Sequence, residues 1–137
     1  MALQDVSLLA VVAGAVVNMI LGALWYSPLL FAKRWMAALG RNSEEMMAQG
    51  GMGAAYGVTF VAALISVFVL GLVVTWSGAR TVVDGMLVGL LTAVGFLATT
   101  NLGTVVFEGR SREIYLINIG YNLVSMMLVG ALLAVLR

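Results

Sequence analysis

The 137-residue chain is 63% hydrophobic and 9% charged, with a net charge of +1; an ordinary soluble domain is roughly 45–50% apolar and about 25% charged. So little charge cannot cover a soluble surface, and so small a net charge offers no basic patch to nucleic acid. Cysteine and histidine are both absent, which excludes disulfides, thiol and imidazole catalysis, and nearly every zinc, copper or haem site.

What charge there is falls into clusters. No Asp, Glu, Lys or Arg occurs between Asp5 and Lys33, Glu45 and Arg80, Asp84 and Glu108, or Glu113 and Arg137; counting the residues between those ends gives runs of 27, 34, 23 and 23. A helical span needs about 20 mostly apolar residues, and a soluble helix has no reason to be apolar on every face. Transmembrane strands would alternate apolar with polar, which these runs do not. The chain therefore reads as one all-α domain, residues 1–137: an integral membrane four-helix bundle with a short interfacial helix after the first span. The spans fall near Val6–Tyr26, Ala54–Trp76, Gly85–Phe107 and Ile114–Leu136.

The first span has no basic stretch before it and reads as retained rather than cleaved. It carries Gly14, Asn18 and Gly22 at intervals of four, a small-residue stripe that permits close helix contact. Ser27 followed by Pro28 resembles an N-cap with proline at the first helical position, so a new helix is expected from Pro28 to Leu39 rather than a kinked continuation. Its Leu30, Phe31, Trp35, Ala38 and Leu39 repeat near helical spacing against Lys33 and Arg34, and Gly40 suits a C-cap. Asn42 and Glu45 are spaced as a capping pair, and Gly50, Gly51 and Gly53 make a flexible entry to the second span. This loop covers about residues 28–53.

Tyr56 and Thr59 open the second span, and Trp76 ends it as an interfacial aromatic. The third begins with Gly85 and Gly89, a GxxxG pair followed by Thr92, Thr99 and Gly103, which permits contact within the chain or between chains. Thr99, Thr100 and Asn101 lie in its later half. Glu108 closes it at the negative end of the helix dipole, so a partner such as Arg110 or Arg112 is expected. In the fourth span Asn118, Tyr121, Asn122 and Ser125 stand at i, i+3, i+4 and i+7, one helical face. Short echoes between the two hairpins, such as Phe31–Arg34 against Phe107–Arg110, are accounted for by shared membrane constraints.

The loops give the orientation. Lys33, Arg34, Arg41, Arg110 and Arg112 fall on one side, Arg80 and Arg137 on the other. The positive-inside rule then puts both termini on the non-cytoplasmic face of the cell membrane.

Nothing ionisable except tyrosine lies deep in a span. Proton-coupled antiport, voltage sensing and ion relays usually need a buried charge. No phosphate loop, metal spacing or nucleophile elbow occurs. No enzyme activity, catalytic residue, metal or cofactor is expected. Tyr26, Ser27, Tyr56, Thr59, Thr99, Thr100, Asn101, Asn118, Tyr121, Asn122 and Ser125 fall in the half of the bilayer nearer the basic loops, and lipid offers them no partners. They read either as interhelical glue or as a polar pocket open to the cytoplasm. Asn118, Tyr121, Asn122 and Ser125 are expected to face inward, meeting Tyr26 or Ser27 and Thr99, Thr100 or Asn101.

The block Leu24-Trp25-Tyr26-Ser27-Pro28-Leu29-Leu30-Phe31 with Lys33 and Trp35 resembles the signature of a bacterial family of small four-span membrane proteins, number 1761 among the domains of unknown function. Gly95-Phe96, Phe107-Glu108-Gly109 and Asn118-Ile119-Gly120-Tyr121 extend the similarity over nearly the whole chain. The resemblance implies a four-helix fold and no assigned activity, and it singles out Trp25, Tyr26, Ser27, Pro28, Glu108, Asn118 and Tyr121. With the span polar residues these give one candidate cluster: Trp25, Tyr26, Ser27, Tyr56, Thr99, Thr100, Asn101, Glu108, Asn118, Tyr121 and Asn122.

Two functions are compatible with these features. The missing coupling group and the amphipathic loop favour a non-enzymatic membrane module that binds a partner protein or lipid. The alternative is a homo-oligomeric permease or channel-like protein for a small uncharged or weakly polar solute. A closed bundle with neither a cavity nor a symmetric interface would argue against that alternative.

Overall fold

A computed structural model describes residues 2–40 and 52–136. The expected capping pair Asn42 and Glu45, together with Arg41, Gly50 and Gly51, lies outside the described residues. Within them the chain forms α1 (Leu8–Trp25), α2 (Ala32–Leu39), α3 (Met52–Trp76), α4 (Val82–Thr92), a π-helical segment (Ala93–Ala98), α5 (Thr99–Val106) and α6 (Arg112–Val135). A single 3₁₀ turn, Leu3–Asp5, precedes α1. Four stretches are long and apolar enough to cross a bilayer: Leu8–Trp25, Gly53–Trp76, Val82–Val106 and Arg112–Val135. Even the shortest, at 18 residues, extends about 27 Å at 1.5 Å per residue, close to the roughly 30 Å hydrocarbon core.

Local chemistry sets the ends. Ser7 accepts a hydrogen bond from the Ala10 amide at 3.3 Å and opens α1. Thr81 and Asp84 form a reciprocal capping box at the start of α4, and Ser111 caps α6. Gly78, at φ +78°, makes the sharp turn from α3 into α4, a conformation that strains any residue with a Cβ.

The break after the first span is present, but its register differs from expectation. The helix stops at Trp25, and the next starts only at Ala32, not at Pro28. The Ser27 hydroxyl donates backward to the Leu24 carbonyl at 2.6 Å instead of accepting from a new helix. The Ser27 carbonyl accepts from the Leu30 and Ala32 amides at 3.0 and 3.1 Å, so residues 26–31 fold as tight turns. Gly40 ends α2 in the left-handed conformation, as expected.

In the bundle α6 is central. α4 packs most closely on it, α1 lies on its other flank, and α3 packs against α1 and α6. Val6 and Leu133 both approach Gly71, which puts the two ends of the chain at one end of the bundle, here the termini end; the opposite one is the loop end. Gly85 and Gly89 on α4 meet the backbone of Gly130 and Met126 on α6 so closely that a Cβ on either glycine would overlap a carbonyl. The GxxxG pair therefore serves a contact within the chain. Such contact matters because lipid is as apolar as leucine, so helices associate by packing rather than by the hydrophobic effect.

The core is lopsided. Val6, Ala10, Val11, Ala15, Val67, Leu70, Leu72, Val74, Val129, Leu133 and Ala134 form one buried cluster, all from the termini half or the middle of the spans. At the loop end the first residues of α3, Gly53–Thr59, are exposed on every face. Outward residues such as Leu8, Val12, Val16, Ile20 and Leu24 recur at intervals of four along α1 and form its lipid-facing stripe.

A candidate polar cleft at the loop end

The helical face expected on α6 does turn inward, and α1 supplies its partners. Trp25, the last residue of α1, donates its indole N–H to the Ile117 carbonyl at 2.9 Å. Its ring covers Gly120, where an added Cβ would stand 3.0 Å from Trp25 Cζ2, so the glycine is the seat of the indole. Phe31 packs on the same ring, with centroids 4.9 Å apart. The Tyr26 hydroxyl donates to Asn118 Oδ1 at 2.7 Å. The Tyr26 ring also touches Trp35 of α2 and Tyr121 of α6, with centroids 5.2 and 5.7 Å away. One turn deeper, Tyr121 and Ser125 both donate to the side-chain oxygen of Asn18, the former at 2.6 Å. Each such bond between transmembrane helices is worth about 0.6–2 kcal/mol, so this ladder fastens α1 to α6 along the loop half.

Opposite the ladder, α5 stands away from α6. The third and fourth spans touch backbone to backbone at Gly85 and Gly130 and approach each other far less closely along α5, so the pair opens as a wedge. The wedge is a cleft of about 340 Å³ whose polar walls include Tyr26, Asn101, Arg110, Asn118, Tyr121 and Asn122. The Tyr115 hydroxyl bridges it, donating to the Ala98 carbonyl at 2.6 Å. At its mouth Arg110 pairs with Glu108 at 3.0 Å, both side chains more than half exposed; a pair so solvated contributes little. A neighbouring hollow of about 310 Å³ lies between Trp25, Phe31 and α6, with Arg34 and Glu113 4.0 Å apart at its edge.

The candidate cluster thus divides. Tyr26, Asn101, Asn118, Tyr121 and Asn122 line one cleft, and Trp25 fixes its wall. Ser27 only caps the outgoing helix. Tyr56 is 60% exposed and lines neither the cleft nor the neighbouring hollow. Asn101 faces the α6 polar residues across the cleft, but none of Thr99, Thr100 and Asn101 hydrogen-bonds to them. They donate instead to the carbonyls of Gly95, Phe96 and Leu97, and with Tyr115 on Ala98 they satisfy four consecutive carbonyls of the π-helical segment. There the backbone bond from Thr99 runs to Val94, five residues back. A π-helical turn of this kind departs from the i→i−4 ladder, and in hydrocarbon polar groups are satisfied within the protein.

Asn18 is a site residue that the sequence pattern does not single out. Among the small residues of its stripe it reads as spacer, yet it is the sole polar side chain between Leu8 and Trp25, and that isolation is the available signal.

The family described as "Protein of unknown function (DUF1761)" matches residues 9–134. The chain belongs to this family. The matched stretch of the DUF1761 chain runs from the second residue of α1 to the second-last of α6 and includes every wall of the cleft. No curated protein and no solved structure matches the chain.

Proposed function

We propose that this protein is a non-enzymatic membrane module that binds a phospholipid headgroup in the loop-end cleft. The supporting observation is the cleft itself: a half-open, polar, 340 Å³ space between α5 and α6, within the size range of ligand sites, at the depth where helices meet the interface. Asn118, Asn122, Asn101 and Tyr121 offer neutral donors and acceptors, and Arg110 at the mouth suits a phosphate. Interfacial aromatics Trp25, Tyr26 and Trp35 and the amphipathic α2 surround it, as they would at the headgroup level. Under the positive-inside rule this end faces the cytoplasm, so the lipid comes from the inner leaflet of the cell membrane. Native mass spectrometry tests the reading: the wild-type protein should retain one phospholipid, and Asn122→Leu with Arg110→Gln should lose at least tenfold occupancy. Equal retention by the double variant would contradict it.

A permease-like reading draws on a second observation. The bundle is not closed at the loop end, and a deeper cavity shares Asn122 with the cleft. A homo-oligomer is not required by that route, because it lies within one chain.

A further inference from the structure

The deeper cavity is about 110 Å³ and lies between Asn18 of α1, Ser66 of α3, Leu97 of the π-helical segment, and Asn122, Ser125 and Val129 of α6. Ser125 follows Arg112 by thirteen residues, about 20 Å along the helix at 1.5 Å each. The cavity therefore sits in the middle of a hydrocarbon core roughly 30 Å thick. Its polar groups are only partly satisfied. Asn18 Oδ1 accepts from Tyr121 and Ser125. The Asn18 amide nitrogen, the Ser66 hydroxyl and the Asn122 side chain have no hydrogen-bond partner among the described residues. Unpaired polar groups at this depth are costly, so the cavity is built for an occupant that forms hydrogen bonds.

Asn122 lines both this cavity and the outer cleft. In the other direction the way is shut. Val67, Leu70, Val74, Val129 and Leu133 are each at most 4% exposed and fill the termini half. Among the described residues no acid or base lines the deep cavity, which disfavours ions and protons. Its volume is the share of liquid taken by about three to four waters.

We propose that cleft and cavity form one aqueous half-channel, entered from the loop end through a neck at Asn122 and ending on a site for a small neutral solute of the amide or polyol class. This rests on the permease-like reading of the cleft rather than on the lipid reading, and stands on the two cavities and their shared residue. Ser66 is exposed on the flank of α3, so the rival route to the same cavity is lateral, from lipid.

The absence of native cysteine makes the test clean. Ser125→Cys is reacted with a small membrane-impermeant methanethiosulfonate in sealed vesicles, with Lys33→Cys reporting the loop-end side. Reaction from the loop-end side only is expected. Molar urea or glycerol should slow it at least twofold, and adding Asn122→Phe should slow it at least tenfold. Asn122→Ala, which widens the neck, should leave it as fast or faster and controls for misfolding. Modification by a lipid-soluble maleimide alone would overturn the proposal in favour of lateral access. Reaction from the termini side, no reaction at all, or equal rates in the Phe and Ala variants would overturn it too.

Discussion

The two halves of this bundle are built on different rules. In the termini half, backbones meet at Gly85, Gly89 and Gly130, and valines and leucines fill what remains. In the loop half, helices diverge and are joined by side-chain hydrogen bonds from Trp25, Tyr26, Tyr121 and Ser125. Without a hydrophobic force between helices in lipid, tight packing and hydrogen bonding are the two available cements, and each half uses one of them. Beyond the deep cavity whose floor Val67, Leu70 and Val129 form, the packed half leaves no room for a ligand. The hydrogen-bonded half leaves a cleft, because polar bridges tolerate separation that van der Waals contact does not.

Substitutions should separate the halves. The largest effect is expected at Gly89→Val, whose side chain would overlap the Met126 carbonyl. Overpacking of this kind costs about 3 kcal/mol or more where neither backbone can yield, measured by steric trapping or by unfolding in mixed micelles. An added methyl at Gly57 would meet nothing within 4 Å, so Gly57→Ala in the loop half should instead be neutral or stabilise by up to about 1 kcal/mol through helix propensity. Similar costs at both glycines would erase the distinction between the halves.

The hydrogen-bonded ladder comes next. Asn118→Leu and Tyr26→Phe should each destabilise by about 1 kcal/mol. Because they break one bond, the double variant should cost little more than either single one. Full additivity would mean that the Tyr26–Asn118 bond carries no weight in the bilayer.

The smallest effect is expected at the mouth. Glu108→Gln removes a solvated pair with Arg110 and should shift stability by less than about 0.5 kcal/mol, with a slight increase in anionic lipid retention as Arg110 is freed. A large loss of stability would show that the rim is structural.

Legibility in the sequence follows the same division. The four spans are readable because charge exclusion from hydrocarbon acts on each residue separately, and every span end lies within three residues of expectation. The inward face of Asn118, Tyr121, Asn122 and Ser125 is readable from helical spacing alone. Its partner Asn18 is not, since pairing depends on which helices touch and at what depth. Asn101 shares the cleft with the α6 face as expected, but the hydrogen bonds of Thr99, Thr100 and Asn101 go elsewhere, because the π-helical segment before them has no sequence mark of its own; their role as donors to its carbonyls is visible only once that register shift is seen. Ser27–Pro28 carries a true break signal, but the same Ser–Pro pair suits a turn as well as a helix start, and the hydroxyl serves the helix behind it.

A cysteine scan along α6 probes the contrast between the halves most directly. Single cysteines at Asn118, Asn122, Leu133 and Ala134 would be reacted with a water-soluble, membrane-impermeant thiol reagent in lipid vesicles open to both sides. Two unlike halves require ready modification at positions 118 and 122, which line the cleft, and none at 133 and 134, which are buried in the packed core, with the change falling within about three helical turns, roughly 16 Å. Equal modification at all four positions, or modification at 133 and 134 alone, would contradict it.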